Sequence, residues 1–250
     1  MAHNTYNDPA FFARYGQMAR STGGLDAAGE WPAFRALLPD LRDARVLDLG
    51  CGYGWHCRYA REQGARSVVG VDLSEKMIAR ARELTDDPAI EYRVMAIEDI
   101  SGAAGEFDVV ISSLALHYIE RFDLVCRAVH HCLRPAGVFV LSVEHPIFTA
   151  RAAQDWHYGQ RGERLHWPVD HYLDEGRRQT RFLDHDVVKY HRTLANYVNA
   201  LIDAGFAIQR VSEPAPTPEL LTRHPDWRDE TRRPMFLLIA AVNGAVIPPV

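Results

Sequence analysis

Positive charge is not in surplus here: 28 Lys and Arg stand against 33 Asp and Glu, a formal net charge of −5. A mildly acidic chain has no general electrostatic pull toward nucleic acid or an anionic membrane. There is also no apolar run of the roughly 18–20 residues that a membrane-crossing helix needs. The opening MAHNTYNDPAFFARY lacks the apolar core of a secretory signal. Cysteine is sparse. Cys51, Cys57, Cys126 and Cys132 form no C-x-x-C pair, so they read as scattered, reduced, half-buried thiols of a cytoplasmic protein. The 12 histidines include no H-E-x-x-H, which argues against a metal centre. No internal repeat or low-complexity tract is visible beyond the bias at Pro214, Pro216 and Pro218.

What is present is ordinary globular material: 250 residues, 47% hydrophobic and 24% charged, enough for one large domain or two small ones. Residues 1–42 are mixed aromatic and polar, broken by Gly23, Gly24 and Gly29, and are expected to form a helical cover. Residues 43–144 alternate strands and helices. The runs Val46–Leu49, Val68–Val71, Ile90–Val94, Phe107–Ile111 and Val138–Val143 read as strands. Tyr53–Gln63, the face Met77, Ile78, Ala81 and Leu84 after Ser74, and Leu124–Leu133 read as helices. Residues 145–190 lose this rhythm and become rich in His, Trp, Tyr and Arg. Across 191–250 it returns, with a helix up to Gly205 and strands at Phe206–Val211 and Met235–Val242, for which an antiparallel pairing is plausible. Alternating elements with near-continuous apolar strands predict a doubly wound, mostly parallel α/β sheet of seven strands.

The most informative segment is Asp48-Leu49-Gly50-Cys51-Gly52-Tyr53-Gly54, between a strand and a helix. Glycines there permit a tight turn and close approach of a ligand beyond the strand ends. A dinucleotide cradle wants a third glycine where Trp55 stands, and an indole at that helix–strand contact argues against pyrophosphate. Asp48 before the glycines suits a ligand with a positively charged amino-acid tail.

With Asp72 at the end of the second strand, Ala96-Ile97-Glu98-Asp99 after the third, Phe107–His117 around the fourth and Leu133-Arg134-Pro135-Ala136-Gly137 before the fifth, the chain resembles the class I S-adenosylmethionine-dependent methyltransferases over roughly residues 43–144. The resemblance implies a Rossmann-like fold and S-adenosyl-L-methionine as cofactor. It implies cofactor contacts from Asp48, Gly50, Cys51, Gly52, Asp72, Leu73, Met77, Ala96, Ile97, Glu98 and Ser112, with Asp72 on the ribose hydroxyls. From the cover, Tyr15 and Arg20 are expected at the cofactor, Arg20 at its carboxylate; a plain salt bridge is the other reading of Arg20. Ala96 departs from many relatives, which carry an acid there.

The acceptor site is expected beyond the fourth and fifth strands, with His117, Glu144 and His145 at its floor. His117 is the first choice as general base and His145 the second, because neutral imidazole suits proton removal near pH 7. Helix start or strand-end turn are the alternative readings, and proximity catalysis without a base stays open. Trp156, Tyr158, Trp167 and Tyr172 of the insertion 145–190 are expected to wall a planar ligand, unless the insertion packs its aromatics on themselves. The function expected is metal-independent methyl transfer to a small-molecule acceptor by a monomer or homodimer, with neither nucleic acid nor membrane as partner. The alternatives are a nucleic-acid methyltransferase, whose amino-directed type would carry an Asn/Asp-Pro-Pro-aromatic motif where Ser112-Ser113-Leu114-Ala115 stands, and a non-catalytic cofactor-binding protein.

Overall fold

A computed structural model describes residues 5–244; the first four residues of the expected cover and the last six of the tail lie outside it. The cover consists of α1 (Pro9–Gly16), α2 (Ala19–Thr22) and α3 (Trp31–Arg35). Asp8 caps α1 by accepting from the amides of Ala10 and Phe11, both at 2.9 Å, with Pro9 in the first turn. The core follows as β1 (Arg45–Leu49), α4 (Trp55–Glu62), β2 (Ser67–Asp72), α5 (Glu75–Glu83), β3 (Ile90–Val94), β4 (Phe107–Ser113), α6 (Phe122–Cys132) and β5 (Leu133–Glu144). After β5 come α7 (Pro146–Thr149), a short hairpin β6 (His157–Tyr158) and β7 (Arg164–His166), and a longer hairpin β8 (Gly176–Phe182) and β9 (His185–His191). The chain ends with α8 (Leu194–Asp203), β10 (Phe206–Ser212), α9 (Pro218–Arg223) and β11 (Phe236–Asn243).

Seven strands form one sheet in the order β10-β11-β5-β4-β1-β2-β3. It is parallel except for β11, which runs antiparallel to both β5 and β10, as the tail pattern suggested. Alternation along β1 explains the double layer. Val46 joins the core under α3, α4 and α5 with Phe34, Ala60 and Ile78, whereas Leu47 joins the opposite core with Phe122, Val129 and Tyr197. Among the described residues no helix is long and apolar enough to cross a membrane.

Four details correct the sequence reading. The first core helix begins at Trp55 rather than Tyr53, because Gly52 and Gly54 hold positive φ (53° and 73°). Its indole packs on the cover, where a Cβ on Gly24 would lie 2.8 Å away, and not on a strand. The cysteines are not half-buried: all four are fully buried free thiols. The insertion is not irregular. Its hairpin β8–β9 pairs seven residues with seven and crosses the expected boundary at 190, hidden from the sequence because both strands carry polar residues on either face.

Candidate active site

At the carboxyl edge of β1 the glycine loop is folded by backbone bonds: the amides of Gly50 and Cys51 both donate to the Val71 carbonyl, at 2.8 and 2.9 Å. Gly50 takes φ +75°, and a Cβ there would sit 2.3 Å from the Ala115 methyl, so the loop is clamped against the segment after β4. Gly54 starts α4 at φ +73°, where a Cβ would lie 2.1 Å from the Tyr92 hydroxyl. Gly52, by contrast, faces open space; the nearest atom to a Cβ there is the Tyr15 hydroxyl at 4.0 Å. Asp72 closes the arrangement. One carboxylate oxygen accepts the Gly52 amide at 3.0 Å and the other the Ser74 amide at 2.8 Å. Burial pushes its carboxyl up while these two amides hold it down, with a net rise.

Asp48 lies one layer below, 1% exposed, on the α4 face of the sheet. Its Oδ2 accepts the Cys57 thiol at 3.3 Å, and its Oδ1 is buried with no partner. Burial pushes the carboxyl up to about 7, against the hydrogen bond from Cys57. Cys51 is buried in the loop, and burial raises its thiol to about 11, which leaves it unreactive near neutrality. A loop open at Gly52, a ribose-type acceptor in Asp72 and an orphaned acid at Asp48 fit a cationic nucleoside, which is the shape and charge of S-adenosylmethionine.

The other expected contacts are placed unevenly. Ile97 is buried and reaches to 3.5 Å of the Gly50 Cβ position, beside half-buried Ala96; Glu98 is exposed. Leu73 is 43% exposed at the turn after β2, whereas Met77 is 1% exposed in α5 and its amide donates to the Ser74 hydroxyl. Ser112 is fully buried, and its hydroxyl donates to the Leu49 carbonyl at 2.9 Å, tying β4 to β1. Arg20 is ion-paired with Glu30, itself 3% exposed.

At the neighbouring edge, where β4 and β5 end, His117 is 2% exposed and burial lowers its imidazole to about 4. Its Nδ1 accepts the Glu144 amide at 3.3 Å. The Glu144 carboxylate accepts from Lys189 Nζ at 2.6 Å and from Gln154 Nε2 at 2.9 Å. Burial opposes its ionisation, but His117, Lys189 and Gln154 outweigh that and lower its carboxyl. His145 is different in kind. Its Nδ1 accepts the Ile147 amide at 3.0 Å as the cap of α7 while Nε2 meets Glu213 at 2.7 Å, so both nitrogens are committed and no lone pair is left for a proton.

The roof over this edge comes from both ends of the insertion and cover. Ser74 donates to Asn7 Oδ1 at 2.7 Å, anchoring the cover beside Asp72. On the far side Arg14 pairs with Asp184, His185 meets Asp8 at 3.4 Å, and Phe11 packs edge-on against Phe182, all at the β8–β9 turn. Between these anchors the Tyr6 hydroxyl donates to Tyr118 at 3.0 Å. Sequence reasoning missed Tyr6, Tyr118, Gln154 and Lys189; only Tyr118, next to His117, carried a signal.

The expected aromatic walls are engaged elsewhere. Trp156, Trp167 and Phe148 surround the Arg233 guanidinium, with Trp167 at 4.1 Å. The Tyr158 hydroxyl donates to Asp155 at 2.8 Å, and the Tyr172 hydroxyl accepts the Leu194 amide at 3.1 Å. The insertion packs its aromatics on itself.

A family model described as a methyltransferase domain matches residues 47–141. An uncharacterized protein of Haemophilus influenzae is 33% identical over 249 residues, 95% of this chain and 96% of its own. The malonyl-[acyl-carrier protein] O-methyltransferase of Pectobacterium atrosepticum is 30% identical over 193 residues, 75% of this chain and 68% of its own. Among solved structures, an S-adenosylmethionine-dependent methyltransferase of Mesorhizobium loti is 49% identical at a TM-score of 0.83, covering 88% of this chain and all of that one.

Proposed function

The chain belongs to the class I S-adenosylmethionine-dependent methyltransferases, and from that premise we propose that its acceptor is a small molecule, methylated by in-line displacement without a metal. The observation that carries this reading is the roof. The cover and the β8–β9 turn meet through Arg14–Asp184 and Phe11–Phe182, and an edge covered from both sides favours a compact acceptor over a polymer. Among the described residues no three His, Cys, Asp or Glu side chains gather into a metal-binding group.

When bound, the cofactor supplies a methyl group made electrophilic by its sulfonium. The chain's own residues do the rest. Asp72 would accept the ribose hydroxyls, the open side of Gly52 would let the backbone approach, and Tyr15, with Arg20 beside its partner Glu30, would close the tail end from the cover. Asp48, held toward its neutral form by burial, would ionise more readily beneath a cationic ligand. Alignment at near-attack distance is the main catalytic resource, capable of about 7–11 kcal/mol in ideal cases.

Incubating the chain with labelled methyl donor and, separately, small-molecule extract, RNA and DNA tests the reading. Label is expected in a low-mass product identified by mass spectrometry. Label confined to RNA or DNA overturns it.

A further inference from the structure

The floor of the acceptor site is richer in donors than in bases. A neutral imidazole carries one proton. Since His117 Nδ1 accepts the Glu144 amide, that proton sits on Nε2, which has no hydrogen-bond partner among the described residues and is not among their sealed polar atoms. His117 therefore presents an N–H to the site. Tyr118 follows it on the same turn, the two ring centroids 4.5 Å apart. Its hydroxyl accepts from Tyr6, which leaves its own hydrogen uncommitted. The two neighbouring groups able to take a proton are already engaged: Glu144 by Lys189 and Gln154, His145 by the Ile147 amide and Glu213.

The charges around His117 point the same way. Lys189, Arg192 and Arg20 act on it from β9, the segment after β9 and α2, with Glu144 as the opposing anion; Glu30 pairs with Arg20. Burial keeps the imidazole neutral down to about pH 4, so its N–H persists unchanged through the physiological range. Two of the three cations are spent on the Glu30 and Glu144 carboxylates, while Arg192 donates to the Ile119 and Glu120 carbonyls and has no ion pair among the described residues; two neutral donors beside that charge suit an acceptor that arrives as an anion.

We propose that the acceptor is the carboxylate of a small organic acid, held by the His117 Nε2–H and the Tyr118 hydroxyl and methylated without a base. The inference rests on the small-molecule reading above. A carboxylate is ionised near neutrality, whereas a phenol or an ammonium has to lose a proton first. A carboxylate lone pair forms the new O–CH₃ bond as the C–S bond breaks, and the bonding pair leaves on sulfur. The anionic and cationic charges cancel, giving a neutral methyl ester and a thioether. No proton moves.

Two measurements decide it. The first reads the tautomer of His117 by nitrogen-15 NMR on the chain loaded with S-adenosylhomocysteine, and needs no acceptor. A neutral Nε2–H form that does not titrate between about pH 5.5 and 8.5 is expected; an Nδ1–H form, or a midpoint near 6.5, overturns the proposal. The second offers labelled donor with benzoate, cinnamate and glutarate beside phenol, aniline and benzamide, and repeats the extract and RNA arms. Label that mild alkali releases as methanol, from carboxylates or from the extract product, at a rate flat between about pH 6 and 9, supports it. Alkali-stable label, or a rate that climbs with pH through a single ionisation, overturns it. For the responsive acid Tyr118→Phe is expected to raise KM about tenfold with kcat within a few-fold; an unchanged KM with a reduced, pH-dependent kcat overturns the clamp. Label confined to RNA ends both the small-molecule reading and this acceptor, while the tautomer result still reports on the donor pair by itself.

Discussion

The cofactor edge and the acceptor edge lie side by side on one sheet, yet they are built in opposite ways. At the cofactor edge the main parts are consecutive: Asp48 to Gly54 form one loop, and Asp72 reaches it through the Gly52 amide. At the acceptor edge the parts come from far apart. Lys189 reaches Glu144 across 45 positions, and Tyr6 reaches Tyr118 across 112. Both edges bury an ionisable group and push it toward its neutral form, with opposite sign: Asp48 upward and His117 downward. A local motif is held by backbone conformation. A dispersed site is held by side chains that reach one another across the fold, the Lys189–Glu144 pair braced by Gln154.

The comparison breaks most severely at Lys189. Lys189→Met strands the Glu144 carboxylate in the interior, and removing one partner of a buried pair costs about 3–5 kcal/mol. Urea unfolding is expected to show that loss in the single variant and much of it restored in Lys189→Met with Glu144→Gln. A single variant as stable as the parent would mean that the pair is solvated and the acceptor edge is not held by charge.

A second expectation uses the opposite signs. Asp48 titrates near 7 folded against 3.8 unfolded, so the folded chain keeps a proton the unfolded chain has lost and stability falls as pH rises through that interval. His117 titrates near 4 folded against 6.5 unfolded, so there the unfolded chain binds the extra proton and stability is lost as pH falls. In the parent the two slopes offset. At ~1.4 kcal/mol per unit, Asp48→Asn should expose a rise on the order of 3 kcal/mol from pH 4 to 6.5, and His117→Phe a fall on the order of 4 kcal/mol from pH 4 to 7. Denaturation midpoints at half-unit steps of pH check this; slopes of equal sign in the two variants would refute it.

The smallest expected effect sharpens the cofactor side. Asp72→Ala should weaken S-adenosylhomocysteine by about 1.5–3 kcal/mol for each charged hydrogen bond lost. Calorimetry reads it directly, and undiminished affinity would take Asp72 out of the site.

Much of the cofactor edge was legible because its information is local. Period-two and period-3.6 patterns placed the strands and helices, the glycines marked positive φ, and Asp72 stood at a strand end. Ser112 was misleading for a physical reason: in a strand buried on both faces its hydroxyl needed a partner and took the Leu49 carbonyl. The aromatic insertion was legible in composition but not in geometry. Trp156 and Trp167 look the same in a sequence whether they face a ligand or, as here, the Arg233 guanidinium.

The amino-acid order by itself therefore determined the doubly wound sheet and the glycine loop, since each follows from residues within one or two elements; the antiparallel run of β11 rests on its pairing with β5 and β10. Only the tertiary structure decided that His145 is a helix cap, that His117 Nδ1 meets the Glu144 amide, and that Glu144 answers to Lys189. A histidine's usable nitrogen depends on what the other nitrogen touches, and those contacts exist only after distant segments have packed.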